Sequence, residues 1–214
     1  MPPKALLAIR SDIEASVEQE YLEWLTREHT IERVSIDGFM SARIFRSQQS
    51  GFGRYFILYE LADSSVVDSP AYLERLNNPT PWTIRMMPHL GNFVRGGGAI
   101  TAAIGAGYGA SMVPILSEAG SNIDDRDTLK AFVKAAGIVA ARIMETDSDR
   151  SSVATSEKGL RSGDRSFGAL LIIEGLDELV VRRVVSDLTR RKGALEEDSP
   201  SEFLVYSQIF QLTR

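Results

Sequence analysis

Two histidines and no cysteine in 214 residues leave His29 and His89 as the only ordinary side chains that change charge near neutral pH. His29 follows Glu28 and lies four residues after Leu25 and eight after Tyr21, at the edge of an apolar helical stripe. An imidazole placed there, beside Glu28 and near Arg43, could move a proton as general base or acid. The competing reading is structural, because a histidine in a last helical turn caps free carbonyls and is favoured by the helix dipole. His89, after Pro88, is either a residue of a pocket mouth or a histidine of a surface loop. Arg43 and Arg142 stand inside otherwise apolar strands, where a guanidinium must be paired or must meet an anion. Ion pairs with Glu60 or Glu174 answer that requirement, and a clamp for a carboxylate or enolate is the functional alternative. Trp24, Tyr55, Tyr59 and Trp82 could supply an aromatic wall or simply core.

Neither histidine has a carboxylate at i, i+4 helical spacing, and thiolates are absent, so no metal site is expected. No cofactor is expected either. Gly105-Ala-Gly107-Tyr-Gly-Ala110 resembles a dinucleotide fingerprint, with Asp124-Asp125 at a plausible distance. Pro114 interrupts the helix such a motif needs, and the next clear strand begins only near Gly137. A net charge of -5 with scattered Lys and Arg gives no footprint for nucleic acid. No apolar run reaches the roughly 18 residues of a membrane span, and a secretory signal is lacking, so a cytoplasmic protein is expected.

The elements that must position these side chains are written twice. Gly38-Phe-Met-Ser-Ala-Arg-Ile-Phe45 returns as Gly137-Ile-Val-Ala-Ala-Arg-Ile-Met144, and four of the eight positions are identical. Ile57-Leu-Tyr-Glu60 is echoed by Leu171-Ile-Ile-Glu174, and an Asp follows each at the same distance. In the first copy, strands are expected over 4–10, 38–46, 54–61 and 91–94, with helices over 17–29, 68–76 and 82–87. The strand over 54–61 is apolar on both faces, which requires cover on both sides. Gly96-Gly-Gly98 reads as a hinge. In the second copy, strands are expected over 99–104, 137–145, 167–174 and 203–212, with an interrupted helical region over 112–136 and a helix over 177–191. The polar stretch 146–166 reads as an inserted loop or lid.

The fold class expected is α+β: tandem ferredoxin-like β-α-β-β-α-β repeats, over 1–95 and 99–214, forming an internal pseudo-dimeric α+β barrel. Each four-stranded sheet leaves one face bare, so the two copies should cover each other. A pocket is expected between the facing sheets.

Trp24, Glu28-His29, Glu32-Arg33, Gly38-Phe39, Ala42-Arg43, Tyr59-Glu60-Leu61, Asn78-Pro-Thr-x-Trp82 and Asn92-Phe93-x-Arg95 occur in that order. The first copy thereby resembles the EthD-like branch of the dimeric α+β barrel superfamily, in particular bacterial members of unknown function. The resemblance implies a ferredoxin-like fold with a pocket on the sheet face. It fixes no activity, because related barrels include cofactor-free oxygenases, cyclases and dehydratases, isomerases, haem proteins and ligand-sensing modules. Ile31 stands where many relatives have proline, and Gly96-Gly-Gly98 replaces bulky residues.

The function expected is proton transfer on a small apolar, oxygen-bearing molecule without a cofactor, through His29, Glu28 and Arg43. Trp24, Tyr55, Tyr59, Trp82, His89 and Arg142 would line the ligand. The alternative is a non-catalytic small-molecule-binding or assembly module, since the second copy keeps neither the histidine nor the tryptophan. Whole chains could pair further as a homodimer.

Overall fold

Large side chains on both faces of the strand over 53–61 need two layers of cover, and the chain provides them by closing eight strands into a barrel wrapped by helices. A computed structural model describes residues 3–47, 52–118, 126–192 and 204–214, without the side chains of 188–192. The turn residues at 48–51 and the Asp124-Asp125 pair lie outside the described residues.

Strand β1 (Ala5–Ile13) leads into helix α1 (Glu18–Trp24), a π-helical turn (Leu25–His29) and helix α2 (Thr30–Val34). Strands β2 (Phe39–Ser47) and β3 (Gly53–Leu61) form a hairpin, followed by helices α3 (Pro70–Asn77) and α4 (Pro81–Met86). Ser69 and Thr80 cap those two helices by accepting from Tyr72 N and Thr83 N, and a proline occupies the first turn of each. Then come β4 (Leu90–Gly105), β5 (Ser111–Ser117), α5 (Arg126–Val133), β6 (Ile138–Thr146), α6 (Ser148–Ser152), β7 (Ala169–Gly175), α7 (Glu178–Lys192) and β8 (Tyr206–Thr213).

The strands close in the order β1-β3-β2-β8-β5-β7-β6-β4, with every neighbouring pair antiparallel. The N-terminal half contributes β4-β1-β3-β2 and the C-terminal half β8-β5-β7-β6. The seams are β2 with β8 and β4 with β6. Gly38 and Gly137, at matching places before β2 and β6, both take the left-handed backbone, with φ of 94° and 88°.

Three apolar cores follow from the two faces of this barrel. The interior holds Leu6, Phe45, Phe56, Leu58, Met112, Met144, Leu170, Ile172 and Tyr206, drawn from both halves. Outside, α1, α2 and α3 pack on the N-terminal sheet, and α5 and α7 pack on the C-terminal one. The expected covering of each sheet by the other is met by a packed interior that draws side chains from both halves.

Three sequence expectations need correction. Residues 99–104 do not open the second half; they complete β4, a continuous strand of 16 residues. The opening strand is β5, within the region expected to be helical. Pro114 is tolerated there because pairing of β5 with β8 is confined to Ser111 and Met112. Gly96-Gly-Gly98 runs inside β4 and is no turn: an added Cβ at Gly98 would stand 1.8 Å from the Glu145 carbonyl oxygen, and at Gly97 2.8 Å from Val67. Close approach, rather than freedom, explains these glycines. The dinucleotide-like glycine segment turns from β4 into β5, a strand, so the helix needed to hold a pyrophosphate is lacking there.

Candidate functional site

The helical segment after β1 does not end at His29. It passes through the π turn into α2, and the wider turn aims both Trp24 and His29 toward the N-terminal sheet. π turns within helices occur disproportionately at functional sites. The two rings lie 4.4 Å apart, and Trp24 Nε1 donates to Thr83 Oγ1 at 3.2 Å, which fixes the indole. His29 is 5% exposed, and its Nδ1 has no hydrogen-bond partner. Burial, with the nearby charges of Arg33 and Arg161, holds its pKa well below the usual imidazole value, so the ring is neutral at physiological pH.

One turn further, Arg33 is buried and donates through Nη2 to the Glu157 carboxylate, while its Nη1 has no partner. Burial alone would lower the pKa of Arg33, but the Glu157 charge outweighs it and the guanidinium stays ionised. Glu157 belongs to the 146–166 stretch, which lies over this part of the N-terminal half. Its backbone N–H donates to Leu76 O at 2.9 Å.

Between sheet and helices these groups surround a small cavity of about 30 Å³. Ile9, Ile57 and Tyr59 form its floor, Trp24, His29 and Arg33 one wall, and Tyr72, Met87 and Phe93 another. Lys158 and Arg161 close it from the inserted stretch. The space is about that of one water molecule, and its lining mixes apolar side chains with a few polar and charged ones. Among the described residues no three His, Asp or Glu side chains converge as metal ligands.

The cavity therefore gathers His29, Trp24 and Tyr59 of the residues expected from sequence, on the helix-covered face of the sheet rather than between the sheets. Glu28 turns away and accepts from Thr80 Oγ1 at 2.6 Å. The Tyr55 ring lies tilted against that of Tyr21, with centroids 4.9 Å apart, and its hydroxyl donates to Glu18. Trp82 donates to Glu20, and His89 is exposed.

Arg43 lies in the barrel interior, away from His29. Its Nη1 donates to Glu174 at 2.8 Å, its Nε to Gln208 at 2.7 Å and its Nη2 to Gly109 O at 3.0 Å. Arg142 pairs with the same carboxylate. The ion-pair reading of both arginines is what the structure shows. The Arg43 partner, though, is Glu174 from the opposite half, while Glu60 accepts from Ser41 and Tyr108.

Sequence reasoning missed Arg33, Tyr72, Glu157, Lys158 and Arg161 as site residues. Arg33 and Arg95 were visible within the motif, and the inserted stretch carried the remaining signal.

No protein-family profile matches the sequence, and no curated protein does. Solved structures do match in shape. A candidate monooxygenase of Fusobacterium nucleatum is 9% identical with a TM-score of 0.58, covering 100% of this chain and 96% of that one. An anthrone oxidase-like protein is 10% identical with a TM-score of 0.56, over 98% and 93% of the two chains. The chlorite dismutase of Candidatus Nitrospira defluvii, solved with imidazole, is 8% identical with a TM-score of 0.53, over 98% and 92%. The chain shares its overall fold with these structures. No helix among the described residues is long and apolar enough to cross a membrane.

Proposed function

We propose that the cleft beside His29 is the working site of a cofactor-independent enzyme that moves a proton on a small, largely apolar, oxygen-bearing molecule. The observation that carries this reading is a buried, neutral imidazole with a free Nδ1, set against an ionised Arg33 with a free Nη1. His29 would accept a proton from carbon next to a carbonyl, and Arg33 would hold the negative charge that develops on oxygen. This takes from Arg43 the clamp role expected from sequence and gives it to Arg33. Trp24 and Tyr59 would hold the apolar body.

Loss of such a proton is the opening step shared by oxygenase, cyclase or dehydratase, and isomerase chemistry. The monooxygenase and anthrone oxidase-like neighbours favour the first of these. We further read the two halves as tandem ferredoxin-like copies. The shared strand order, the left-handed Gly38 and Gly137, and the matching Arg43 and Arg142 support that. The convergence of Trp24, His29, Arg33 and Arg95 on one cavity is consistent with the EthD-like motif.

The test is anaerobic exchange of the acidic C–H of anthrone and of phenylpyruvate in deuterated water, followed by proton NMR. The protein should accelerate exchange of at least one, and His29→Gln should lower that acceleration by about 10²–10⁴-fold. Equal rates in the variant, or no acceleration of either probe, would remove the proposal. A second reading, a non-catalytic binding module, is favoured by the closed state of the cavity, and a ligand bound without any exchange would support it.

A further inference from the structure

Four of the five charged side chains that reach the cavity are cations: Arg33, Arg95, Lys158 and Arg161, against the single carboxylate of Glu157. Glu157 is engaged by Arg33, and Asp164 offsets Arg161 at 2.9 Å from outside the cavity. Lys158 Nζ donates only to the carbonyls of Ser151 and Val153, at 2.7 and 2.6 Å. Burial, with Arg95 and Arg161 nearby, pushes its pKa down to about 8, as befits a site with surplus positive charge. A low-dielectric pocket with excess cations and an open donor on Arg33 Nη1 is incomplete without an anion.

The flat groups around it indicate the rest of the ligand. The guanidinium groups of Arg33 and Arg95 lie 5.8 and 6.0 Å from the Tyr72 ring, and that of Arg161 lies 3.9 Å from Phe93. Yet the cavity has room for little more than a water, so any ligand must displace part of the wall.

The stretch over 147–165 is built to be that part. Its ends are pinned to β4: Asp147 N and Ser151 Oγ both donate to Gly97 O, while Arg165 N donates to Phe93 O and Arg95 N to Arg165 O. Its middle is held chiefly by the Arg33–Glu157 pair, by Glu157 N on Leu76 O, by Ser156 N on Asn77 Oδ1 and by Arg161.

Resting on the reading of this cleft as a small-molecule site, we propose that its natural ligand is a flat apolar carboxylic acid, or a molecule with an equally acidic oxygen, whose anion replaces Glu157 on Arg33 as the 147–165 segment lifts. Glu157 is then a resident plug that mimics the anionic end of the substrate. Arg33 acts as a binding residue, and Glu157 as the group that keeps the empty site closed.

The experiment compares benzoate with its neutral isostere benzamide on the full chain and on Glu157→Gln, reading Trp24 fluorescence in a Trp82→Phe background. Benzoate should bind Glu157→Gln roughly tenfold or more tighter than the parent, since a resident competitor lowers apparent affinity by the fraction of time the site is closed. Benzamide should gain nothing. Should Glu157→Gln fail to fold, hydrogen exchange on the parent decides: benzoate, and not benzamide, should release the Glu157 amide from protection. Equal behaviour of the two probes, or no benzoate binding to either protein, would overturn the proposal. These outcomes are independent of turnover, so benzoate can bind as described while His29→Gln leaves exchange unchanged, and the reverse can also occur.

Discussion

Replacing Glu174 by Gln keeps the shape of that side chain and removes the charge on which both halves of the barrel converge. Glu174 is fully buried, accepts from Arg43 Nη1 at 2.8 Å and Gly109 N at 2.9 Å, and pairs with Arg142. Arg43 is itself 0% exposed and keeps only Gln208, the Gly109 carbonyl and the faces of Phe45 and Tyr108 once the carboxylate is neutralised. Breaking a buried pair by neutralising one partner costs about 3–5 kcal/mol, because the other charge stays desolvated. For a chain of this size that lowers Tm by roughly 6–20 °C, readable by scanning calorimetry with urea titration as a check. Arg142→Met should cost less, about 1–2 kcal/mol, since Arg142 is partly exposed and the Arg43–Glu174 pair survives. A loss below about 1 kcal/mol for Glu174→Gln would refute the idea that this carboxylate ties β7 to β2 across the barrel.

Three further perturbations test other parts of the account. His29 has a folded pKa below its unfolded one, so the unfolded state binds the extra proton; stability is full above about pH 6.5 and falls by up to about 1.4 kcal/mol per pH unit below it, down to the depressed folded value. His29→Gln should flatten that part of a stability-against-pH curve, and an unchanged slope would contradict the buried placement. Gly98→Ala should prevent folding or lower Tm severely, whereas Gly107→Ala, with open space around its Cβ but φ of 84°, should cost only about 1–2 kcal/mol by thermal melting. A hinge role for the triple glycine would make Gly98→Ala the milder of the two. Thr83→Val strands the Trp24 indole N–H and should cost about 1–3 kcal/mol by denaturant titration.

The parts of the fold that rest on local pattern were legible. Residues 53–61 are large and apolar on both faces, and that alone required cover on both sides. The echo of Gly38 to Phe45 in the second half located β2 and β6. Trp24 and His29, neighbours in the sequence motif, line one cavity. What escaped depends on contacts distant in sequence. Arg33 looks like a charged helix residue until Glu157, 124 residues away, neutralises it. Arg43 was expected to pair with Glu60 or Glu174 on the strand beside it, but closure of the barrel brings Glu174 across from the other half. The glycines at 96–98 read as flexible because sequence does not show what presses against them, namely Val67, Phe167 and the Glu145 carbonyl. β5 was hidden by Pro114, a residue that breaks helices and central strands alike, and only the short pairing with β8 makes it acceptable.

The central claim is that the reactive space lies on the helix-covered face of the N-terminal sheet, around a buried imidazole. With only two histidines in the chain, nitrogen-15 NMR of selectively labelled histidine across pH 8 to 4.5 tests it directly. His29 should stay neutral well below the usual imidazole range and shift when benzoate is added. A His29 signal that titrates across the usual imidazole range and ignores benzoate would contradict the account.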